Sequence, residues 1–209
     1  MSKFILFDVG ANWGTDSLGR TASDPSVETW AFEPTPELIE HLTKESLHFS
    51  DRYHIQPVAL SDFEGTAQFN IADNPDCDWG CSSLNSFSDH LNETWPGRTD
   101  FKFNRTITVE VTRLDTWFKK NNIQLDKIDF FHCDTQGSDL KVLQGMGEYI
   151  HLIKDGVIEC AREESVKLYK ENHTIQEATD FLISKGFQIT HTQSNDRFNN
   201  ELNLYFKKA

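Results

Sequence analysis

The chain has 209 residues, 37% hydrophobic and 12% aromatic, with a formal net charge of −13 at pH 7. That length and apolar content suffice for one globular domain with its own core. The acidic balance excludes the clustered Lys and Arg by which proteins hold nucleic acid or an anionic membrane surface, and no apolar run approaches the length of a membrane span.

No basic leader followed by an apolar core opens the chain, so a cytoplasmic location with reduced cysteines is expected. Cys77-x-x-x-Cys81 lacks a second pair and a histidine at zinc-finger spacing, so no metal site is expected. Phe4–Val9 is an apolar run of strand length, and Gly10 and Gly14 follow it at once. Thr15–Arg20 makes at most a short helix before the next strand, Thr29–Phe32. Pro36–Leu47 carries Leu38, Ile39, Leu42 and Leu47 on one face of a helix, with Pro36 in the first turn. Tyr53–Leu60 reads as a third strand ending at Ser61-Asp62.

Thr66–Ile71 and Thr106–Thr112 then alternate with period two, as antiparallel strands do. The stretch 72–105 between strands has no clean periodicity but holds Trp79, Phe87, Trp95, Phe101 and Phe103. A long irregular insertion in a compact domain is commonly functional, and this one is expected to be an acceptor-binding lid on a single domain spanning 1–209. Helix Leu114–Asn121, strand Ile128–Cys133, helix Asp139–Ile150, strand Gly156–Cys160 and helix Thr174–Lys185 follow. Phe187–His191 and Leu202–Phe206 close as a hairpin. Strands alternating with helical patterns predict βαβ units and a parallel sheet, an α/β Rossmann-like fold.

In an open parallel sheet, ligands sit outside the carboxyl ends of the strands. Asp8, Glu33, Asp62 and Asp134 each close an apolar run there. Gly10 and Gly14 let the chain turn tightly and let a ligand approach bare main chain. Glu33 stands where a carboxylate accepts hydrogen bonds from an adenosine ribose. Asp62 either receives an adenine amino group or caps the turn at Glu64-Gly65. In place of G-x-G-x-x-G the chain has Gly10-x-Asn12-x-x-Thr15, and Asp16 would repel a pyrophosphate. A phosphate-free adenosyl ligand, S-adenosyl-L-methionine, therefore fits better than NAD.

"FDVGANWG", "AFEPTPELIEHL", "VALSDFEGTAQF", "CSSL", "VTRLDTWF" and "IDFFHCDTQGSDLKVLQGM" resemble, in order, the successive blocks of the FkbM-type S-adenosylmethionine-dependent methyltransferases. The resemblance implies a class I methyltransferase fold: a seven-stranded, mostly parallel sheet with helices on both faces and one antiparallel edge strand. It also implies a cofactor loop of Asp8, Gly10, Asn12 and Gly14, with Trp13 beside the sulfonium or packed nearby. Glu33, with Pro34 next to it, would hold the ribose, Ser61 and Asp62 would sit by the adenine, and Asp134 would face the methionine end. Many relatives have Lys where this chain has His132, and Glu at Gln136 or Asp139. The expected reaction is methylation of a hydroxyl on a small molecule or glycan. His132 and Asp134, at i and i+2 on one strand face, are the candidate catalytic bases, with a packed core histidine as the plainer alternative for His132 and Glu159 as a weaker candidate. A non-catalytic cofactor-binding module of a larger assembly is the other reading left open.

Overall fold

The computed structural model describes residues 3–73 and 79–209; Cys77 lies outside the described residues. The first crossovers run β1 (Phe4–Val9), α1 (Leu18–Ser23), β2 (Val27–Phe32), α2 (Pro36–Glu45) and β3 (Tyr53–Gln56). Then come β4 (Ala59–Leu60), β5 (Gly65–Ile71), α3 (Leu91–Thr94), β6 (Arg105–Thr112) and α4 (Leu114–Lys120). β7 (Ile128–Cys133), α5 (Asp139–Gly145), β8 (Ile153–Ala161), α6 (Ile175–Ser184), β9 (Phe187–Ser194) and β10 (Glu201–Lys208) follow.

Seven strands make one sheet in the order β3-β2-β1-β7-β8-β10-β9. The first five are mutually parallel, and β10 runs against both β8 and β9 at one edge of the sheet. This is the mostly parallel α/β sheet that the sequence predicts. Successive residues Ala31 and Phe32 enter different apolar clusters, one with Leu42 of α2 and one with Trp117 and Phe118 of α4. Helices therefore cover both faces, and burial of those stripes, rather than helix propensity, holds the short helices in place.

The predicted third strand is in fact two. Pro57, which has no N–H for a ladder, separates β3 in the large sheet from β4, which pairs with β6 in a second sheet ordered β4-β6-β5. The helix expected over Asp139–Ile150 stops at Gly145, and the chain continues as a 3₁₀ turn over Gly147–Leu152 where Gly147 takes φ +52°. Leu47 is 66% exposed, off the apolar face assigned to it, because α2 ends at Glu45. The aromatic insertion is packed. Trp95 is 1% exposed and clusters with Leu168 and Tyr169 against Phe87, Phe101, Phe103 and Phe198, with Phe87 stacked on Phe103 at 4.2 Å. Among the described residues no helix is long and apolar enough to cross a membrane.

Candidate active site

β1 and β7 are neighbours in the sheet, and the strand order runs outward from them in opposite directions, which opens a crevice at their carboxyl ends. The loop after β1 is pressed into that crevice. Gly10 has φ +79°, and a Cβ there would lie 1.9 Å from the Asp134 carbonyl oxygen. Gly14 has φ +74°, and its Cβ would lie 2.6 Å from Leu18 and 2.8 Å from Leu42. The positive φ values fit the tight turn expected at both glycines, and the loop packs so directly on the end of β7 and on α2 that neither position has room for a Cβ.

The loop ends against Glu33. Its Oε2 accepts the Asn12 N–H and its Oε1 accepts the Thr35 N–H, both at 2.9 Å. Burial raises the Glu33 pKa, and the hydrogen bonds from Thr35 and Asn12 oppose that rise. Asn12 itself adopts φ +49° and leaves its Oδ1 buried without a hydrogen-bond partner.

A cavity of about 870 Å³, open to solvent, runs from Glu33 to the end of β7. Gly10, Asn12, Glu33, Pro34, His132 and Asp134 are on its wall. Val58, Leu60, Phe69 and Leu84 make an apolar slot in the same wall, two of them from the second sheet's strands. Asp8 stands behind the wall, 1% exposed, with Oδ1 2.9 Å from His132 Nδ1 and Oδ2 buried without a partner. Trp13 is also off the wall, edge-on to His41 at 4.7 Å and to Trp79 at 6.5 Å, and Trp79 does line the cavity.

Ser61 and Asp62, expected beside an adenine, are not among the residues on the cavity wall. Ser61 is buried, its carbonyl so close to α5 that a Cβ on Gly145 would sit 2.2 Å from it. Arg113 donates to the Asp62 carbonyl at 3.0 Å. The pair forms the turn between β4 and β5, drawn away from the sheet rim by the break at Pro57.

Asp134 is held by a network that no motif announces. Gln136 Nε2 donates to Asp134 Oδ1 at 2.6 Å and to Glu159 Oε2 at 3.1 Å. The Tyr169 hydroxyl donates to Gln136 Oε1 at 2.8 Å, which fixes the amide the right way round. Gln136 has φ +54°, and its carbonyl accepts from Ser83 Oγ at 2.6 Å and Asn85 Nδ2 at 3.4 Å. Asn195 donates to the other oxygen of Glu159. The "CSSLN" stretch therefore meets the site through Ser83 and Asn85, while Ser82 and Leu84 line the cavity.

The charges are strongly perturbed. Burial opposes a proton on His132, yet the hydrogen bond and charge of Asp8, aided by Asp134 and Asp16, outweigh it and push its pKa up to about 9. The ring is an imidazolium at neutral pH. Burial raises Asp134, while His132 and Gln136 pull it back. Burial and the neighbouring acids push Glu159 far up, Asp139 to about 7 and Glu201 to about 8. The cavity wall thus combines apolar side chains and the buried Glu33 carboxyl with a buried acid, Asp134, and the His132 ring.

Comparison with known proteins gives this arrangement its context. The family model described as Methyltransferase FkbM domain matches residues 8–189. The 2-O-methyltransferase NoeI of Sinorhizobium fredii (strain NBRC 101917 / NGR234) is 30% identical over 145 residues, which is 68% of this chain and 56% of that protein. The crystal structure of methyltransferase FkbM from Methylobacillus flagellatus KT superposes with a TM-score of 0.59 at 17% identity, covering 98% of this chain and 43% of that one. Magnesium protoporphyrin IX methyltransferase from Synechocystis PCC 6803, solved with bound SAM, gives 0.54 at 10% identity over 100% of this chain and 71% of that one. At those identities the two structures attest the fold. The chain spans only about half the length of the first relatives it matches.

Proposed function

The chain belongs to the FkbM methyltransferase family, and from that premise we propose that it transfers a methyl group from S-adenosylmethionine to a hydroxyl of a small molecule or glycan. The observation that carries this reading is the single cavity with Glu33 at one end and the Gln136-held Asp134 at the other. The relative named a 2-O-methyltransferase supports oxygen as the acceptor atom.

The residues fit the cofactor. The apolar slot of Val58, Leu60, Phe69 and Leu84 suits a purine, Glu33 suits ribose hydroxyls, and the orphaned Asn12 Oδ1 offers one more acceptor. When bound, the cofactor supplies an electrophilic methyl on a sulfonium. Every other task falls to the chain. Holding two reactants in line supplies about 7–11 kcal/mol of a barrier of this kind, and the rigid rim of β1, β2 and β7 is built for that. A hydroxyl must lose its proton as it is methylated. His132, whose pKa Asp8 raises to about 9, carries a proton on both ring nitrogens as an imidazolium and has no lone pair for it. Asp134 has: its pKa is raised by burial, it lines the cavity, and Gln136 fixes the orientation of its carboxyl. Asp134 is therefore the proposed base and His132 is not.

Three measurements test the reading. Glu33→Ala should weaken cofactor binding by roughly 1.5–3 kcal/mol, the range for a hydrogen bond to a charged group, in titration calorimetry. Asp134→Asn should cut methyl transfer about 10²–10⁴-fold with cofactor affinity changed far less. Isotope-labelled methyl donor incubated with a metabolite extract should label a hydroxyl-bearing product. A protein that binds the donor and labels nothing is a binding module instead.

A further inference from the structure

We infer that His132 is the anchor for the carboxylate of the cofactor's amino-acid tail. The inference rests on the proposed cofactor site and assigns a binding role to a residue that the sequence offered as a base.

Three observations carry it. His132 lines the cavity, and its side chain retains 20% exposure, so the ring reaches the open space instead of being sealed in the core. Its Nδ1 is tied to Asp8, itself 1% exposed, which fixes the ring plane and turns Nε2 outward. Nε2 is 3.9 Å from Asp16 Oδ2, an ion pair beyond hydrogen-bonding distance, and the Asp16 side chain is 64% exposed. A charged donor therefore faces the cavity with its hydrogen bond unspent.

The wall's charge inventory points the same way. Among the described residues lining the cavity, Asp16, Glu33 and Asp134 are acidic and His132 is the one positive side chain. An amino-acid tail is a zwitterion, and a carboxylate placed among acids needs a cationic partner to offset its desolvation and the repulsion. The acids around the ring, Asp8 from β1, Asp16 from the following loop and Asp134 at the end of β7, keep it protonated. Asp16, on the same wall beside the ring, suits the ammonium group of the same tail, so the opposed charges of wall and ligand match in kind.

Decarboxylated S-adenosylmethionine separates this role from a structural one, because it keeps the adenosine, sulfonium and ammonium and lacks the carboxylate. Binding is measured by calorimetry for both compounds on the wild type, His132→Gln and His132→Lys. The expected result is a wild-type preference of tenfold or more for the complete cofactor, abolished in His132→Gln and largely kept in His132→Lys. Equal wild-type affinity for the two compounds overturns the contact without any variant. Equal losses for both compounds in His132→Gln also overturn it, making His132 a packing partner of Asp8. Failure of the wild type to bind either compound overturns the cofactor site together with this inference.

Discussion

Gln136 is a test of how a neutral side chain can govern acidic neighbours. Its amide bridges Asp134 and Glu159 and is itself oriented by Tyr169. Gln136→Glu puts a third carboxylate against Asp134. Like charge raises a carboxyl pKa, so the acidic limb of the activity–pH profile should move to higher pH, as read from kcat/KM across a buffer series. Gln136→Leu removes the donor that Asp134 Oδ1 and Glu159 Oε2 share, while the Tyr169 hydroxyl keeps the Cys81 carbonyl as acceptor; buried acceptors left unpaired cost about 1–3 kcal/mol, so its Tm should fall along with turnover. The ends of strands made Asp8, Glu33 and Asp134 legible in the sequence, because an acid closing an apolar run has a position even before the fold is known. Gln136 was not legible as an orienting residue. Its role depends on a left-handed backbone and on partners 33 and 53 residues away, at Tyr169 and Ser83. Likewise Gly10 was legible as a required glycine but not for its cause, which is a carbonyl on another strand.

At the level of elements, the sequence yielded each strand of the parallel core, since continuous apolar runs between helical patterns have few other readings. It failed where a single residue redirects the chain. Pro57 moves β4 to another sheet and carries Ser61 and Asp62 off the rim, and Gly147 ends the smooth helix after Asp139. The aromatic insertion, expected as a lid, packs Trp95, Phe87, Phe101 and Phe103 with Leu168, Tyr169 and Phe198 in a small core. Trp95→Ala should therefore cost about 3–5 kcal/mol, the range for emptying a large aromatic site, seen as a shift of the denaturant midpoint. Because Trp79 to Leu84 of the same insertion line the cavity, cofactor affinity should fall too. Thr174→Ala is the contrasting case. It breaks the capping box of α6, in which Thr174 and Glu177 exchange hydrogen bonds, and Thr174 is not on the cavity wall. The expected loss is about 0.5–2 kcal/mol of stability, with calorimetric affinity unchanged.

For the molecule as a whole, the buried acids set the response to pH. Asp139 and Glu201 have folded pKa values of about 7 and about 8, and Glu159 lies well above its ordinary value. Unfolded carboxyls titrate near about 4, so between those limits the folded state binds more protons than the unfolded one. Stability then falls as pH rises. His132 has the same sign: its contribution is complete below the unfolded histidine value and is lost as pH passes about 9. The Tm should therefore be higher near pH 5 than near pH 9, and Glu201→Gln should flatten that slope in scanning calorimetry. A further consequence belongs to the pocket's walls. Glu33 and Asp134 come from the large sheet, while Leu60 and Phe69 belong to the small one, joined to it through Pro57. A purine wedged there would act as mortar between two separately hydrogen-bonded slabs. Amide exchange in β4, β5 and β6 should slow on adding cofactor, even at positions that no ligand atom touches.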